Sequence, residues 1–124
     1  MDTRTINIQV LALLGDAVFS LYIREKLINN KVNDPNVLQK KLVEYVSAKA
    51  QSKILNNLIE ENILSEKEID IVKRGRNNKR SNHPKNTDII TYKLSTGFEA
   101  LVGYLYLSNQ TKRLEEILKQ IEVK

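Results

Sequence analysis

The sequence predicts an all-α fold in a single domain. Apolar residues recur three and four positions apart through most of the 124 residues, and no segment of useful length alternates with period two, as a half-buried strand would. Helix start signals such as Asp34-Pro35 stand at the beginning of these periodic segments. The length suits one domain, and no repeat, low-complexity tract or linker divides the chain. We therefore expect residues 1–124 to form one helical bundle.

The first predicted helix runs from Ile6 to Asn29 and is apolar around most of its circumference. A helix of that kind belongs at the centre of a domain. Gly15 interrupts it and marks either a break or a close contact with another helix.

Three further helices are indicated by their N-terminal capping residues. Asp34 caps a second helix, whose apolar residues are Leu38, Leu42, Tyr45 and Val46. Ser47 caps a third helix, whose apolar residues are Ala50, Ile54, Leu55, Leu58 and Ile59. Ser65 and Glu68 fit a capping box at the start of a fourth helix, with Leu64 and Ile69 as its hydrophobic staple.

Two helices follow in the last third of the chain. A long apolar helix is predicted from Asp88 to Ser108, and Thr111 is expected to cap the final one. That final helix has a repeating apolar face, made of Leu114, Ile117, Leu118 and Ile121. The face favours intramolecular packing, with association through this helix as the alternative.

Composition excludes several classes of protein and site. The chain has no cysteine, which excludes disulfide scaffolds, thiolate zinc fingers and cysteine nucleophiles. Its one histidine, His83, cannot form a histidine-rich metal site. No apolar run approaches the ~20 residues of a membrane span, and no signal peptide is recognisable. We expect a cytoplasmic protein.

The net charge of +5 comes from one segment. Residues 73–85 carry six lysines and arginines and no acidic residue, whereas the other 111 residues hold 14 basic and 15 acidic side chains, a balance of −1. We expect a basic loop over about 73–88. A solvated loop explains such a run as well as a nucleic-acid contact does. A membrane contact is weaker, because the run has no apolar face.

Two carboxylates stand at unusual places in apolar helices. Asp16 shares a narrow stripe of the first helix with Gln9, Ala12 and Ser20, and Glu99 shares a face of the long helix with Thr96 and Gly103. Each acid on its own is explained by an ion pair or a helix cap. Together, with small neighbours, they leave room for a hydrated Mg²⁺ ion, which binds through one or two carboxylates plus water and phosphate. Spacing alone does not show that residues 83 positions apart meet.

Several motifs resemble the ribonuclease III family. The segment Leu14-Gly15-Asp16-Ala17-Val18 is similar to the family's signature helix, and Phe98-Glu99-Ala100-Leu101-Val102-Gly103 is similar to its second acidic motif. The compact branch called Mini-ribonuclease III is indicated by further segments, which are Val46 to Gln51, Arg74 to Asn77, Pro84 to Asp88 and Ser95 to Glu99.

The resemblance implies the family's fold, the ribonuclease III catalytic domain, and its activity. It implies an endonuclease for double-stranded RNA that uses Mg²⁺, with Mn²⁺ as a substitute, and that acts as a homodimer. For the compact branch it implies maturation of the 23S ribosomal RNA precursor, with a ribosomal protein as an additional partner left open. The implied reaction is attack of a metal-activated water in line on phosphorus, which leaves a 5′-phosphate and a 3′-hydroxyl.

The chain departs from the full-length family pattern in two respects. Ala12 and Thr96 stand where two further acids are usual, as in the compact branch, so only Asp16 and Glu99 carry over as catalytic residues and metal ligands. The resemblance also implies that no C-terminal double-stranded-RNA-binding domain follows. We therefore expect the basic loop to contact RNA.

The candidate RNA-binding residues lie mostly in the basic loop. They are Lys73, Arg74, Arg76, Asn77, Lys79, Arg80, Lys85 and Asn86. Lys49 and Lys53 on the third helix are secondary candidates, with a solvated helix face as the equal alternative. Thr96 is either a hydrogen-bond partner of a metal-bound water or an ordinary packing residue. Because His83 lies in the basic loop, we expect it to contact RNA or solvent and not to act as a general base.

The main rival function is a non-catalytic RNA-binding or ribosome-assembly module with the same fold. Asp16 and Glu99 argue against it, because binding phosphate does not require carboxylates.

Overall fold

The computed structural model describes residues 2, 5–78 and 88–124, and this part of the chain is helical without a strand. Its helices are α1 (Ile8–Asn29), α2 (Pro35–Val46), α3 (Ala48–Glu60), α4 (Glu66–Arg76), α5 (Ile89–Leu107) and α6 (Thr111–Leu118). The predicted all-α class is confirmed. Among the described helices, none combines the length and the apolar character needed to cross a lipid bilayer.

Side-chain caps begin three of the described helices, α2, α3 and α4, where the sequence predicts. The Asp34 carboxylate accepts from two backbone amides at the start of α2, and the Ser47 hydroxyl accepts from one at the start of α3. The capping box of α4 is complete, since the Glu68 carboxylate accepts from the Ser65 amide at 2.8 Å and the Glu68 amide donates back to the Ser65 hydroxyl at 3.2 Å. These caps satisfy amides that have no partner within the helix.

Two predicted helix starts are wrong by one or two residues. Helix α1 begins at Ile8 rather than Ile6, because Asn7 acts as its cap and accepts from the Gln9 amide at 2.8 Å. Thr111 is the first residue of α6 instead of its cap. The residue before it, Gln110, makes no capping bond with its side chain.

The predicted boundary of the basic loop is also wrong. Lys73, Arg74 and Arg76 lie in the last turn of α4, and Asn77 is its C-cap. A helix C-terminus carries partial negative charge, so a cluster of cations stabilises the last turn. The first residues of the predicted loop, 73–77, are therefore the end of a helix.

Helix α5 lies at the centre of the domain, where it packs against α1, α3, α4 and α6. Its residues from Phe98 to Leu105 are almost all fully buried except Glu99. Phe98 meets Phe19 of α1 edge to face, with ring centroids 5.0 Å apart. The prediction that α1 occupies the centre is wrong for one of its faces. An aliphatic stripe on α1 is exposed, consisting of Val10, Leu13, Leu21 and Ile28.

Helix α6 packs within the molecule. Leu114, Ile117 and Leu118 are buried in the common core and Ile121 packs against it, which confirms the intramolecular prediction for this face. Arg113 fixes the helix to the start of α4: its guanidinium donates to both Glu68 oxygens, at 2.7 and 2.8 Å, and to the Ile63 carbonyl oxygen.

Three helices end with a residue in the left-handed conformation. Lys31, Asn62 and Asn109 have φ of 73°, 55° and 61° and follow the C-caps of α1, α3 and α5. After each, the next backbone amide returns to a carbonyl in the last turn, as in the Schellman motif; that of Val32, for example, donates to the Leu27 carbonyl at 3.1 Å.

Candidate active site

The site is built where α1 crosses α5 with almost no space between the two backbones. A Cβ atom on Gly15 would lie 2.7 Å from the Glu99 carbonyl carbon and 2.8 Å from the Gly103 amide nitrogen. Real Cβ atoms do not approach other atoms below 3.0 Å. Gly15 therefore marks a close contact between two helices. Of the two interpretations that the sequence allows for this residue, the helix break is wrong.

This crossing brings the two predicted carboxylates together. Asp16 follows Gly15 on α1, and Glu99 is one of the two residues of α5 whose backbone Gly15 approaches, with Gly103 as the other. Both side chains line one cavity, and they lie near enough for the Asp16 carboxyl group to raise the pKa of Glu99. Asp16 is exposed and Glu99 is half-buried, so the pair stands at the edge of the core and opens to solvent.

The surroundings of Glu99 disfavour its negative charge. Burial, the hydrogen bond with Asp16 and the charge of Asp16 together raise the pKa of Glu99 to about 8, and a hydrogen bond from Gln51 opposes this rise. Two carboxyl groups this close cannot both ionise readily without a cation between them. The site is therefore set up to gain from a positive charge.

A cavity of about 350 Å³ opens in front of this pair. Its polar lining comes from α1 and α5 and from one residue just after α4, namely Gln9, Asp16, Asn78, Tyr92, Lys93, Thr96 and Glu99. Gln9, Ala12 and Asp16 all line it, as their predicted stripe requires, but Ser20 does not and instead contacts Arg24. The volume holds several waters at about 30 Å³ each.

The residues present fit a hydrated magnesium ion. Over the described ranges, no group of three or more histidine, cysteine or acidic side chains forms a closed metal cage. Mg²⁺ does not need one, because it keeps several waters and binds through one or two carboxylates plus substrate phosphate. Asp16 and Glu99 are the residues that would hold it.

Thr96 lies one turn before Glu99 and lines the same cavity. Its hydroxyl donates to the Tyr92 carbonyl at 3.0 Å, so towards the cavity this oxygen acts as an acceptor. Water on a metal ion is a donor, so the geometry is compatible with the predicted contact, which stays a prediction.

The basic end of α4 is held beside the cavity by a second close helix contact. A Cβ on Gly75 would lie 2.8 Å from the Gly97 Cα, and a Cβ on Gly97 would lie 2.8 Å from the Val72 carbonyl oxygen. Gly75 itself lines the cavity. Lys73, Arg74 and Arg76 are exposed and lie in the same turn of α4 as Gly75, next to the cavity lining.

The other predicted RNA-binding residues have different positions. Lys49 and Lys53 are exposed on α3 and do not line the cavity, so their role stays a prediction. The side chain of Asn77 accepts from Arg76 at 3.3 Å. The remaining candidates lie outside the described residues, as does His83; they are Lys79, Arg80, Lys85 and Asn86.

The sequence patterns predict neither Gln51 nor Lys93 as a residue of the site. Lys93 lines the cavity and is the cationic side chain nearest in sequence to Glu99, one and a half turns away on α5. Gln51 is buried on α3 and donates to the Glu99 carboxylate. A signal for Gln51 existed, because it precedes the buried Leu55 and Leu58 at helical spacing and so occupies a core position with a polar side chain.

Comparison with known proteins agrees with this geometry. The Ribonuclease III domain family matches residues 9–110. The chain is 46% identical to Mini-ribonuclease 3 of Streptococcus pneumoniae over 95% of this chain and 92% of that protein. It is 49% identical to Mini-ribonuclease 3 of Thermoanaerobacter sp. over 89% of this chain and 76% of that protein.

A solved structure shows the same fold. The crystal structure of protein FN1578 from Fusobacterium nucleatum superimposes with a TM-score of 0.85 at 31% identity, and the match covers 96% of this chain and 95% of that one. The ribonuclease III family acts on double-stranded RNA, generally depends on divalent metal ions and generally forms dimers. With its two acidic motifs joined at one cavity, the chain belongs to the ribonuclease III family and is an endoribonuclease.

Proposed function

We propose that this chain is a Mg²⁺-dependent endonuclease of double-stranded RNA, acting in the cytoplasm as a homodimer. Its proposed substrate is the precursor of 23S ribosomal RNA, and Mn²⁺ is proposed to replace Mg²⁺. The observation that carries the proposal is that Asp16 and Glu99, from two different helices, line one open cavity and interact with each other there.

The chain's own residues divide the work of hydrolysis. Asp16 and Glu99 hold the ion, and the packed crossing of α1 and α5 keeps the two carboxylates at a fixed separation. When bound, Mg²⁺ supplies a nucleophile from water and stabilises the leaving oxygen. Thr96 presents an acceptor oxygen to the cavity, and Lys93 places a positive charge there for a phosphate oxygen.

The last turn of α4 supplies the described cations for binding RNA. Duplex RNA is recognised largely through its phosphates and 2′-hydroxyls, which suits exposed lysine and arginine side chains beside the cleavage site. Lys73, Arg74 and Arg76 have this position. Because Gly75 packs closely against Gly97 of α5, the backbone that carries these three cations is held against the helix that carries Glu99 before RNA arrives.

A second copy of the chain is the proposed occupant of the exposed stripe on α1. Val10, Leu13, Leu21 and Ile28 are each more than half exposed and lie on one side of the helix. An apolar stripe of this kind is complementary to itself, as a two-fold interface requires. Leu13 also lines the cavity, so the partner would lie beside the site. Two such sites would face the two strands of one duplex.

A nicking assay tests the proposed activity. Wild-type protein is incubated with a labelled RNA duplex with Mg²⁺ and with EDTA, beside Glu99→Gln and the exposed control Glu25→Ala. We expect cleavage only in Mg²⁺, its loss in Glu99→Gln, and full activity in Glu25→Ala. Binding of the duplex without cleavage by the wild-type protein would support a non-catalytic RNA-binding module instead.

A further inference from the structure

Gln51 is a buried amide whose two ends are both held by other groups. Its side chain is 1% exposed. The amide nitrogen donates to the Val46 carbonyl oxygen at 3.2 Å and to the Glu99 Oε2 at 3.3 Å. The amide oxygen accepts from the Ser95 hydroxyl at 2.9 Å. Gln51 therefore connects α3 and the end of α2 with two successive turns of α5.

The partners of Gln51 determine which end of its amide faces Glu99. The Val46 carbonyl only accepts hydrogen bonds, so the atom beside it must be the NH₂ group. The same NH₂ group faces Glu99, and the Ser95 hydroxyl donates from the opposite side. The amide cannot rotate by half a turn without placing its oxygen against the Val46 carbonyl oxygen. Glu99 thus faces a donor of fixed position.

A fixed donor matters at this place because a glutamate side chain has three rotatable bonds. Fixing such a side chain costs conformational entropy, which the free energy of metal binding must otherwise offset. The neighbouring carboxyl group of Asp16 also repels Glu99 when both are charged, and so favours rotation away from the cavity. A hydrogen bond from the core opposes that rotation.

We propose that Gln51 is a positioning residue, which holds the Glu99 carboxylate in the orientation that binds the divalent cation. This inference rests on the proposed function, because it assumes that Glu99 is a metal ligand. Ser95 and the Val46 carbonyl act through Gln51, since they fix its amide and Gln51 in turn donates to the carboxylate. The chain of contacts thus runs from the α2–α3 junction to the site.

The test measures metal binding by protein without RNA. Gln51→Met keeps the volume and removes the donor, and Gln51→Asn keeps the amide but is one methylene too short to reach Glu99. Gln39→Met, at an exposed position of α2, is the matched control. Binding of Mg²⁺ and Mn²⁺ is measured by titration calorimetry, after denaturant unfolding has shown that each variant is folded.

We expect both Gln51 variants to weaken metal binding about 10- to 100-fold, as is typical when a group that orients a ligand is removed. Gln39→Met should bind as the wild-type protein does. In cleavage assays the Mg²⁺ concentration for half-maximal rate should rise by a similar factor, while the rate at saturating Mg²⁺ stays near the wild-type value. Loss of a residue that only supports the fold would not raise the Mg²⁺ concentration for half-maximal rate while leaving the rate at saturating Mg²⁺ unchanged.

A double-mutant cycle tests the proposed order of action. Ser95→Ala should weaken metal binding in the wild-type background and add nothing in the Gln51→Met background. Wild-type metal affinity in a folded Gln51→Met or Gln51→Asn protein would overturn the inference and leave the proposed function intact. If Gln51→Met does not fold, Gln51→Asn and Ser95→Ala decide the question. A wild-type protein that binds neither ion would contradict the proposed function itself.

Discussion

Replacing Gly15 by alanine tests the close crossing on which the site depends. In most helices this change stabilises a protein by about 0.5–1 kcal/mol, because glycine loses more conformational freedom than alanine on folding. Here the added Cβ would lie 2.7 Å from the Glu99 carbonyl carbon, and still closer to its oxygen. The obstructing atoms belong to the backbone of α5, so no side-chain rotation relieves the clash.

The magnitude follows from how far the helices must separate. Ordinary contact begins at 3.4 Å, and the Glu99 carbonyl oxygen is the nearest atom, so α1 and α5 must move apart by more than about 1 Å. Overpacking of this kind costs about 1–3 kcal/mol, and the upper end applies where backbone atoms collide. After subtracting the helix propensity of alanine, we expect a net loss of about 2 kcal/mol, or a fall in Tm of about 8 °C. A 1 Å misplacement at the site also reduces the cleavage rate about 100-fold.

Thermal and urea unfolding of Gly15→Ala and wild-type protein measure the loss, at one fixed protein concentration because dimers gain stability with concentration. Glu25→Ala, an exposed change in the same helix, is the control and should stay within about 0.5 kcal/mol of wild type. A Gly15→Ala protein that is as stable as wild type and cleaves duplex RNA at the same rate would refute the crossing.

Three further predictions concern the ion pair of Arg113 with Glu68, the basic last turn of α4 and the proposed dimer. Arg113→Met should cost about 2–4 kcal/mol near neutral pH, because it removes the cationic partner of the buried Glu68. Arg113 lowers the pKa of Glu68, so the contribution of this pair is fully present above the ordinary pKa of a glutamate and is lost as the pH falls through the lowered pKa. The difference in urea stability should therefore narrow in acid. Glutamine at all three cations in the last turn of α4 should reduce the salt slope of RNA binding by up to about three units, and Lys31→Gln, at the far end of α1, should leave it unchanged. Analytical sedimentation should show that Leu21→Glu is monomeric, whereas Val43→Glu, an exposed position of α2, stays dimeric. A dimeric Leu21→Glu with a monomeric Val43→Glu would place the interface away from the exposed stripe on α1.

The helices could be predicted because their signals are local. Asp34, Ser47 and the pair Ser65 and Glu68 each act within one turn, so a short stretch of sequence contains the whole interaction. The predicted end of α1 at Asn29 is confirmed as well, but the backbone conformation that ends this helix has no such local signal. Lys31 has a positive φ, which a glycine or an asparagine at this position would have indicated in the sequence. Lysine adopts it here because the Val32 amide donates to a carbonyl in the last turn of the helix.

The site was predictable only in part because its contacts join distant residues. The residue types of Asp16 and Glu99 suggest a metal site, but the two residues come together because of Gly15. The sequence allows either a helix break or a close helix contact at Gly15, and only the structure shows which of the two is present. Gln51 looks like an ordinary polar helix residue until its burial against α5 is seen. The exposed stripe on α1 has the same origin, since the sequence shows an apolar helix but not which face stays uncovered.

Cleavage mapping on precursor 23S ribosomal RNA tests the central claim, that Asp16 and Glu99 together hold the cation that drives hydrolysis. Wild-type and Asp16→Asn protein are compared in Mg²⁺, with RNA binding measured separately and the new ends identified. We predict discrete wild-type cuts within duplex regions that leave 5′-phosphates, and no cuts by an Asp16→Asn protein that still binds the RNA. Cleavage at the same positions by Asp16→Asn would contradict the account.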